Sequence, residues 1–237
     1  MDFQILDDEW TVSFFNFLKS KGLDFTYFPK KRKIKFLNDL DEPLFSIRLS
    51  TQLKFDIQKN ELALEEFSNY LLILIRSGIG SVGFVQNRDL LHHKVFRAYM
   101  VRKKQGKSQV KYLKTKGKSR AGSRIRLHAT LEFFQDITKR VNQHLENYAV
   151  DQIGLSCSET LIPYLFGENE SLNLNKKDPR IFKIPKHVGS PTLEMLYSVK
   201  EFVEKNELFI MEQGKYLFQS FMDGKNIQSD EEDSEDW

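Results

Sequence analysis

Apolar residues recur along the chain with two different periods, and these periods predict a mixed α/β fold. Over residues 7–20 the spacing is helical, and an aspartate at position 7 or 8 would cap this helix before Gly22 ends it. Strand-like runs follow over residues 25–28, 33–37 and 44–49. We assign residues 1–60 to a small N-terminal α+β module.

A second pattern begins at residue 61. The run ELALEEFSNY is rich in helix formers and predicts a short helix. Strand-like runs then occur over residues 71–77, 81–87 and 94–101. The turns between them are short enough for an antiparallel meander. From about Ser123 to Tyr148 apolar residues recur every three or four positions, which predicts a long amphipathic helix.

Strands and helices alternate in the rest of the chain. Strands are expected over 152–157, 181–185 and 207–211, and helices over 159–166 and 191–206. Ser190 would cap the second helix, with Pro191 at its first position. Alternation of this kind predicts parallel strands with helices packed on the sheet. We therefore predict a second α/β domain over residues 61–213, with a mixed sheet, and a disordered acidic tail over 214–237.

The composition restricts the classes of protein to which this chain can belong. The 237 residues, 40% of them hydrophobic, suffice for a substantial core. The longest apolar run, residues 70–75, is too short to cross a bilayer, and no export signal is visible, so we expect a cytoplasmic protein without a membrane partner. Cys157 is the only cysteine, which excludes an internal disulfide. His92 and His93 are adjacent and would face opposite sides of a strand, so we predict neither a metal site nor a cofactor.

The net charge of +3 conceals an uneven distribution. Thirteen Lys or Arg residues and no acid lie between Lys94 and Arg126, whereas the last ten residues hold six acids and no base. Without those six carboxylates the remainder of the chain carries +9. So concentrated a positive charge predicts contact with phosphate, on a nucleic acid or a membrane surface. A solvated loop is the alternative.

The centre of this charge is a basic loop at residues 102–122, for which three chemical readings compete. Gly-Lys-Ser occurs at 106–108 and 117–119, but a nucleotide P-loop needs a glycine five positions earlier, where Val101 and Tyr112 stand. A serine nucleophile at Ser108 or Ser119 lacks the GxSxG context and a nearby base. The third interpretation is a loop that brings a glycine and a glutamine to the end of a nucleic acid.

The order HHKVFRAYMVRKKQGKSQ, a basic spacer, and GKSRAGSRIRL opening a long helix resembles the release-factor-like domain of the Vms-type peptidyl-tRNA hydrolases. These are relatives of the archaeal and eukaryotic class I peptide release factors, and this chain looks like a bacterial branch. The likeness covers residues 61–213 and implies a ribonuclease H-like catalytic domain. Class I factors carry Gly-Gly-Gln, whereas Gly106 to Gln109 match the relaxed Gly-x-x-Gln form.

The resemblance implies a protein that frees nascent chains from tRNA on stalled ribosomes. Gly106 and Gln109 would be catalytic, with no metal and no cofactor. A glutamine amide is neither acid nor base at neutral pH, so it would position water and stabilise developing charge. The partners would be peptidyl-tRNA and the large ribosomal subunit with its RNA. The residues expected to contact RNA are Arg102, Lys103, Lys104, Lys107, Lys111, Lys114, Lys118, Ser119, Arg120, Ser123, Arg124 and Arg126.

Two other functions stay open from the sequence. One is an endonuclease that cuts tRNA near its acceptor end; the loop has no carboxylate for a metal, although Asp89, Glu132 and Asp136 flank it. The other is a non-catalytic protein that binds the ribosome or RNA and uses the basic loop only as an electrostatic anchor.

Overall fold

The computed structural model describes residues 1–65, 68–98, 118–167 and 172–232, with side chains throughout except at 118–127 and 225–232. The strands, in chain order, are β1 (Asp2–Leu6), β2 (Asp24–Phe28), β3 (Lys33–Leu37), β4 (Pro43–Arg48), β5 (Leu53–Asp56), β6 (Glu61–Leu64), β7 (Asn69–Arg76), β8 (Ile79–Gln86), β9 (Asp89–Arg97), β10 (Gln152–Cys157), β11 (Ile181–Lys183) and β12 (Asn206–Ile210). The helices are α1 (Asp8–Ser20), α2 (Lys118–Asn147), α3 (Ile162–Phe166), α4 (Leu193–Val203) and α5 (Lys215–Glu232). The chain divides into two compact units, residues 1–67 with 201–237, and residues 68–200.

The first unit is built on an antiparallel sheet in the order β1-β12-β4-β3-β2, with β5 and β6 forming a separate hairpin. Helix α1 begins as predicted, because the carboxylate of Asp7 accepts a hydrogen bond from the backbone N–H of Trp10 at 2.6 Å. Its apolar face buries Phe14 and Phe15 completely. The two rings pack edge-on against the buried Phe45 and Phe36 of the sheet, so aromatic contacts join the helix to the sheet in this core.

The last predicted strand, ELFIM, is confirmed as β12, but its expected parallel pairing was wrong. Instead of extending a parallel sheet, β12 pairs antiparallel with both β1 and β4 in the first unit. A buried ion pair supports this pairing: Arg48 Nε lies 2.6 Å from a carboxylate oxygen of Glu207, and the two residues are direct partners in the register. The guanidinium also stacks over Phe202 at 4.1 Å. Arg48 and Glu207 lie 159 residues apart in the chain, so no local sequence pattern predicts this contact between the two strands.

Two further segments of this unit differ from expectation. The start of ELALEEFSNY is not helical but forms β6, in which Leu62 is buried opposite Phe55 of β5. Tertiary pairing here overrides the helix propensity of Glu, Leu and Ala. Residues 214–237 were expected to be a disordered tail, whereas the structure has helix α5, whose buried Phe221 packs on Trp10 with ring centroids 4.8 Å apart.

The second unit contains a mixed five-stranded sheet in the order β11-β10-β7-β8-β9. The predicted antiparallel meander β7-β8-β9 is confirmed, as is parallel pairing of β10 with both β7 and β11. The long predicted helix is α2, which begins at Lys118, five residues earlier than expected. Helix α4 begins after Thr192 rather than Ser190, because the Thr192 hydroxyl accepts from the N–H of Met195.

Candidate functional site

Four strands of the second unit end at the same edge of its sheet. Strands β7, β10 and β11 are parallel, and β9 runs in the same direction because it is antiparallel to β8, which is antiparallel to β7. We call the edge at which these four strands end the carboxyl edge. Strand β9 ends there, and the N–H of Ala98 donates to the carbonyl of Gly78 at 3.0 Å. The chain therefore enters the basic loop from the carboxyl edge.

Two arginines mark this edge in register. Arg97 of β9 lies opposite Ile79 of β8, and Ile79 lies opposite Arg76 of β7. Because neighbouring strands are about 4.8 Å apart, the two arginine backbones are separated by roughly 10 Å. Arg97 is exposed, whereas Arg76 is half-buried and held by a 2.7 Å hydrogen bond from Nε to the carbonyl of Val188. The edge is therefore cationic before the basic loop begins.

Helix α2 returns the chain from the basic loop and crosses the sheet. A Cβ on Gly80, one row from the carboxyl edge, would lie 2.9 Å from Ile137 Cδ1 and 3.2 Å from Phe133 Cζ, so the helix packs very closely here. Residue 118 lies fifteen positions before Phe133, which corresponds to about 22 Å along the helix axis. The first turns of α2 therefore extend past the carboxyl edge, on the side where β9 ends.

The other end of α2 is anchored by an aromatic cluster of Phe84, His92, His144 and Tyr148. The Phe84 and Tyr148 rings stack with centroids 4.3 Å apart, and His92 Nε2 lies 2.7 Å from the Tyr148 hydroxyl. Phe84 and His92 are register partners far from the carboxyl edge. The direction of α2 is therefore fixed at both ends of the sheet, so its basic amino end is held at the carboxyl edge.

His144 is the unusual member of this aromatic cluster. It is 2% exposed, and neither ring nitrogen has a hydrogen-bond partner among the described residues. The pKa of its imidazole is lowered from 6.5 to about 4, chiefly by burial and to a smaller extent by the nearby positive charges of Arg140 and His92. The ring is therefore neutral at physiological pH and serves as a packing element. The exposed His93 lies outside this cluster.

The structure brings some predicted site residues to the carboxyl edge and leaves others untested. Lys118, Ser119, Arg120, Ser123, Arg124 and Arg126 belong to the first turns of α2, where the structure describes the helical backbone. The remaining predicted positions lie outside the described residues: Arg102, Lys103, Lys104, Gly106, Lys107, Gln109, Lys111 and Lys114. Their assignment stays a prediction from the sequence.

The acids that flank the basic loop in sequence do not converge in space. Asp89 is the first residue of β9, at the edge opposite the carboxyl edge, while Glu132 and Asp136 are exposed on α2. Glu132 lies 4.0 Å from the imidazole of His128. In the part of the chain that the structure describes, no group of three or more His, Cys, Asp or Glu residues is arranged to hold a metal ion.

Arg76 and Lys183, which end β7 and β11, were not among the predicted site residues. Each follows a largely apolar strand, in LLILIR and IFK, and cations at the ends of parallel strands are a signal that could have found them.

None of the helices among the described residues combines the length and apolar content needed to cross a bilayer.

Comparison with known proteins identifies the family. A family model described as "Bacteroidetes VLRF1 release factor" matches residues 70–209, more than half of the 237-residue chain. A solved structure described as "Vms1 mitochondrial localization core" is similar at 15% sequence identity with a TM-score of 0.42, and the match covers 86% of this chain and 83% of that chain. A comparison with curated proteins gives no match.

Proposed function

This chain belongs to the Bacteroidetes VLRF1 release factor family, and we propose from this membership that it rescues stalled ribosomes by hydrolysing peptidyl-tRNA. The single observation that carries the proposal is the family match over residues 70–209, which spans the Gly-x-x-Gln sequence at 106–109. The protein would act in the cytoplasm, on peptidyl-tRNA bound to the large ribosomal subunit. The second unit would be the catalytic domain, with a ribonuclease H-like arrangement.

Gln109 would position the attacking water. Its amide has no useful acidity or basicity at neutral pH, but it can orient a water molecule toward the ester that joins the peptide to the terminal ribose. The water oxygen forms a bond to the acyl carbon, the bond from that carbon to the ribose oxygen breaks, and a proton passes to the ribose oxygen. An N–H of Gln109 would stabilise the negative charge that develops on the carbonyl oxygen. The products are a peptide carboxylate and an intact tRNA.

Gly106 and the cations would deliver the glutamine to this ester. A Cβ at position 106 would obstruct either the required backbone torsions or the approach to the ribose. Lys103, Lys104 and Lys107 would neutralise RNA phosphates around the loop, and the basic first turns of α2 would add contacts to phosphate. The carboxyl edge supports this arrangement, because β9 leads into the loop from that edge and α2 extends past it.

A single-turnover release assay with a matched variant tests the catalytic role. Gln109→Ala should abolish release of the nascent chain while the affinity for RNA stays within about twofold, since one neutral amide is removed among many charged contacts. Gln105→Ala is the control, because it makes the same substitution four positions away in the same loop. It should leave release unchanged.

The outcomes separate the proposal from its alternatives. Release by Gln109→Ala at the wild-type rate would overturn the catalytic assignment. RNA binding without release by the wild-type protein on stalled ribosomes would favour a non-catalytic ribosome-binding role. Cleavage of the tRNA backbone by the wild-type protein would favour the endonuclease.

A further inference from the structure

The second unit contains a pocket at the carboxyl ends of β7, β10 and β11. Its volume is about 430 Å³, and its lining includes Arg76, Cys157, Lys183, Lys186 and His187. In sheets with parallel strands, ligands typically bind in the crevice beyond the carboxyl ends of the strands. This pocket lies in that position.

The lining carries an excess of positive charge. It contains Arg76, Lys183 and Lys186 against one acid, Glu159. Neither Arg76 nor Lys183 forms an ion pair with a carboxylate among the described residues. Such cations favour an anionic ligand, since no described carboxylate neutralises them at contact distance.

Neutral groups hold two of these cations in place. Arg76 Nε donates to the carbonyl of Val188 at 2.7 Å, and Lys186 Nζ donates to the Ser198 hydroxyl at 2.8 Å and to the Ser198 carbonyl at 3.2 Å. Bonds to neutral oxygens fix the positions of both side chains, and the charge of Arg76 is not paired with a described carboxylate. The pocket is therefore a preorganised cationic site rather than a set of mobile surface lysines.

The cysteine in the lining does not suggest covalent chemistry. Burial raises the pKa of the Cys157 thiol to about 11, although the positive charge of Arg76 opposes this shift. The thiol is protonated at neutral pH and packs as a small side chain, with Sγ 3.5 Å from the Ser158 carbonyl. Binding, not nucleophilic catalysis, is the chemistry that this lining provides.

The pocket shares the carboxyl edge with the entrance to the basic loop. Arg97 at the end of β9 is two strands from Arg76 and four strands from Lys183, which are lateral distances of roughly 10 and 19 Å. Arg97 and Arg76 share one row of the register, whereas Lys183 is level with Ile73, three residues before Arg76. A polyanion bound along this edge would meet Arg97 and then Arg76 before it reaches Lys183 in the lining of the pocket.

We propose that this pocket binds a backbone phosphate of the RNA that the basic loop engages. The inference rests on the proposed function, because it takes the polyanion at the carboxyl edge to be RNA. The pocket would give the protein a second contact with the RNA, in addition to the basic loop, at the carboxyl ends of three strands. The pocket positions the RNA and takes no part in ester hydrolysis.

The test is equilibrium binding of the full-length protein to an RNA mimic of the tRNA acceptor arm, measured over a range of salt concentrations. Lys183→Ala is the informative variant, because Lys183 is exposed and its loss leaves the fold intact. Removing one phosphate contact should reduce the log–log salt slope by about 0.7 to 0.9, which corresponds to roughly five- to eightfold weaker binding at 0.1 M salt. Lys183→Arg should restore wild-type binding.

Lys177→Ala is the matched control. Lys177 is exposed in the same unit but precedes β11, so it lies away from the carboxyl edge, and its removal should leave the slope unchanged. Equal effects of Lys183→Ala and Lys177→Ala, or no effect of Lys183→Ala, would overturn the proposal. The salt slope of Lys183→Ala reports on the pocket, whereas single-turnover release by Gln109→Ala reports on the catalytic assignment, so failure of the pocket and failure of the catalytic assignment give different results.

A second experiment uses inorganic phosphate alone to distinguish an RNA phosphate from a free phosphate compound as the ligand of the pocket. Phosphate should weaken RNA binding to the wild-type protein more than chloride does at equal ionic strength, and Lys183→Ala should abolish that difference. If phosphate perturbs the NMR signals of His187 while Lys183→Ala binds RNA like the wild type, the pocket serves a free phosphate compound and the RNA assignment is wrong.

Discussion

Protonation of His144 should destabilise the second unit as the pH falls. The imidazole is 2% exposed, stacks on Phe84 with centroids 5.6 Å apart, and has no hydrogen-bond partner for either ring nitrogen among the described residues. Its pKa is about 4 in the folded protein and 6.5 in the absence of the fold. Between these values the unfolded state binds more protons than the folded state, so stability rises with pH across this interval.

The magnitude follows from this difference in pKa. Each pKa unit corresponds to 1.36 kcal/mol, so complete protonation should lower the free energy of unfolding by about 3 kcal/mol. The loss begins as the pH falls below 6.5, reaches about 2 kcal/mol at pH 5, and is nearly complete below pH 4. It is a large fraction of the 5–15 kcal/mol typical of a folded domain.

Hydrogen exchange of the buried amides of β7 and β8, followed from pH 7 to pH 5, measures the stability of this unit. His144→Phe preserves an aromatic ring and removes the titrating group, so its loss of stability over this interval should be smaller than that of the wild type by about 2 kcal/mol. His92 is retained in both proteins, so its contribution cancels to first order. His128→Gln, which removes an exposed histidine from the same helix, is the control and should behave like the wild type.

If His144→Phe and the wild type lose stability equally between pH 7 and pH 5, burial of His144 does not lower its pKa in the folded protein. The imidazole would then be solvated or paired in the folded protein.

Three further perturbations have definite expected outcomes. Gly80→Val should lower the free energy of unfolding of the second unit by about 1–3 kcal/mol, because the added side chain overpacks against α2. Gly189→Val, where a Cβ would have nothing within 4 Å, should lower it far less, and hydrogen exchange measures both effects. Glu207→Gln should destabilise the first unit by about 3–5 kcal/mol in urea unfolding, since it leaves the buried charge of Arg48 unpaired. Arg124→Gln should reduce the log–log salt slope of RNA binding by about 0.7 to 0.9, and an unchanged slope would remove α2 from the RNA contact.

Periodicity and turn chemistry predicted the parts of the fold that depend on local sequence. The Asp7 cap of α1, the amphipathic character of α2 and the meander of β7 to β9 are all determined by residues close together in the chain. The release-factor-like family was also recognisable, because its motif lies within one continuous stretch near Gly106.

Long-range pairing accounts for what the sequence did not predict. Strand β12 joins β1 and β4 across most of the chain length, and no local pattern indicates that partner choice. Strand β6 contains good helix formers, yet pairing with β5 decides its conformation. The cationic pocket draws Arg76, Cys157 and Lys183 from three separate strands, so its existence follows only from the sheet order.

We propose that this chain hydrolyses an ester rather than a phosphodiester. The most direct measurement incubates the wild-type protein with stalled ribosomes that carry peptidyl-tRNA, and determines the 3′ end of the tRNA product and the mass of the peptide. We predict an intact terminal adenosine and a peptide with a free carboxylate, as expected for water positioned by Gln109 against the acyl carbon. A tRNA shortened at its acceptor end, with the peptide still attached to the excised nucleotides, would contradict the account.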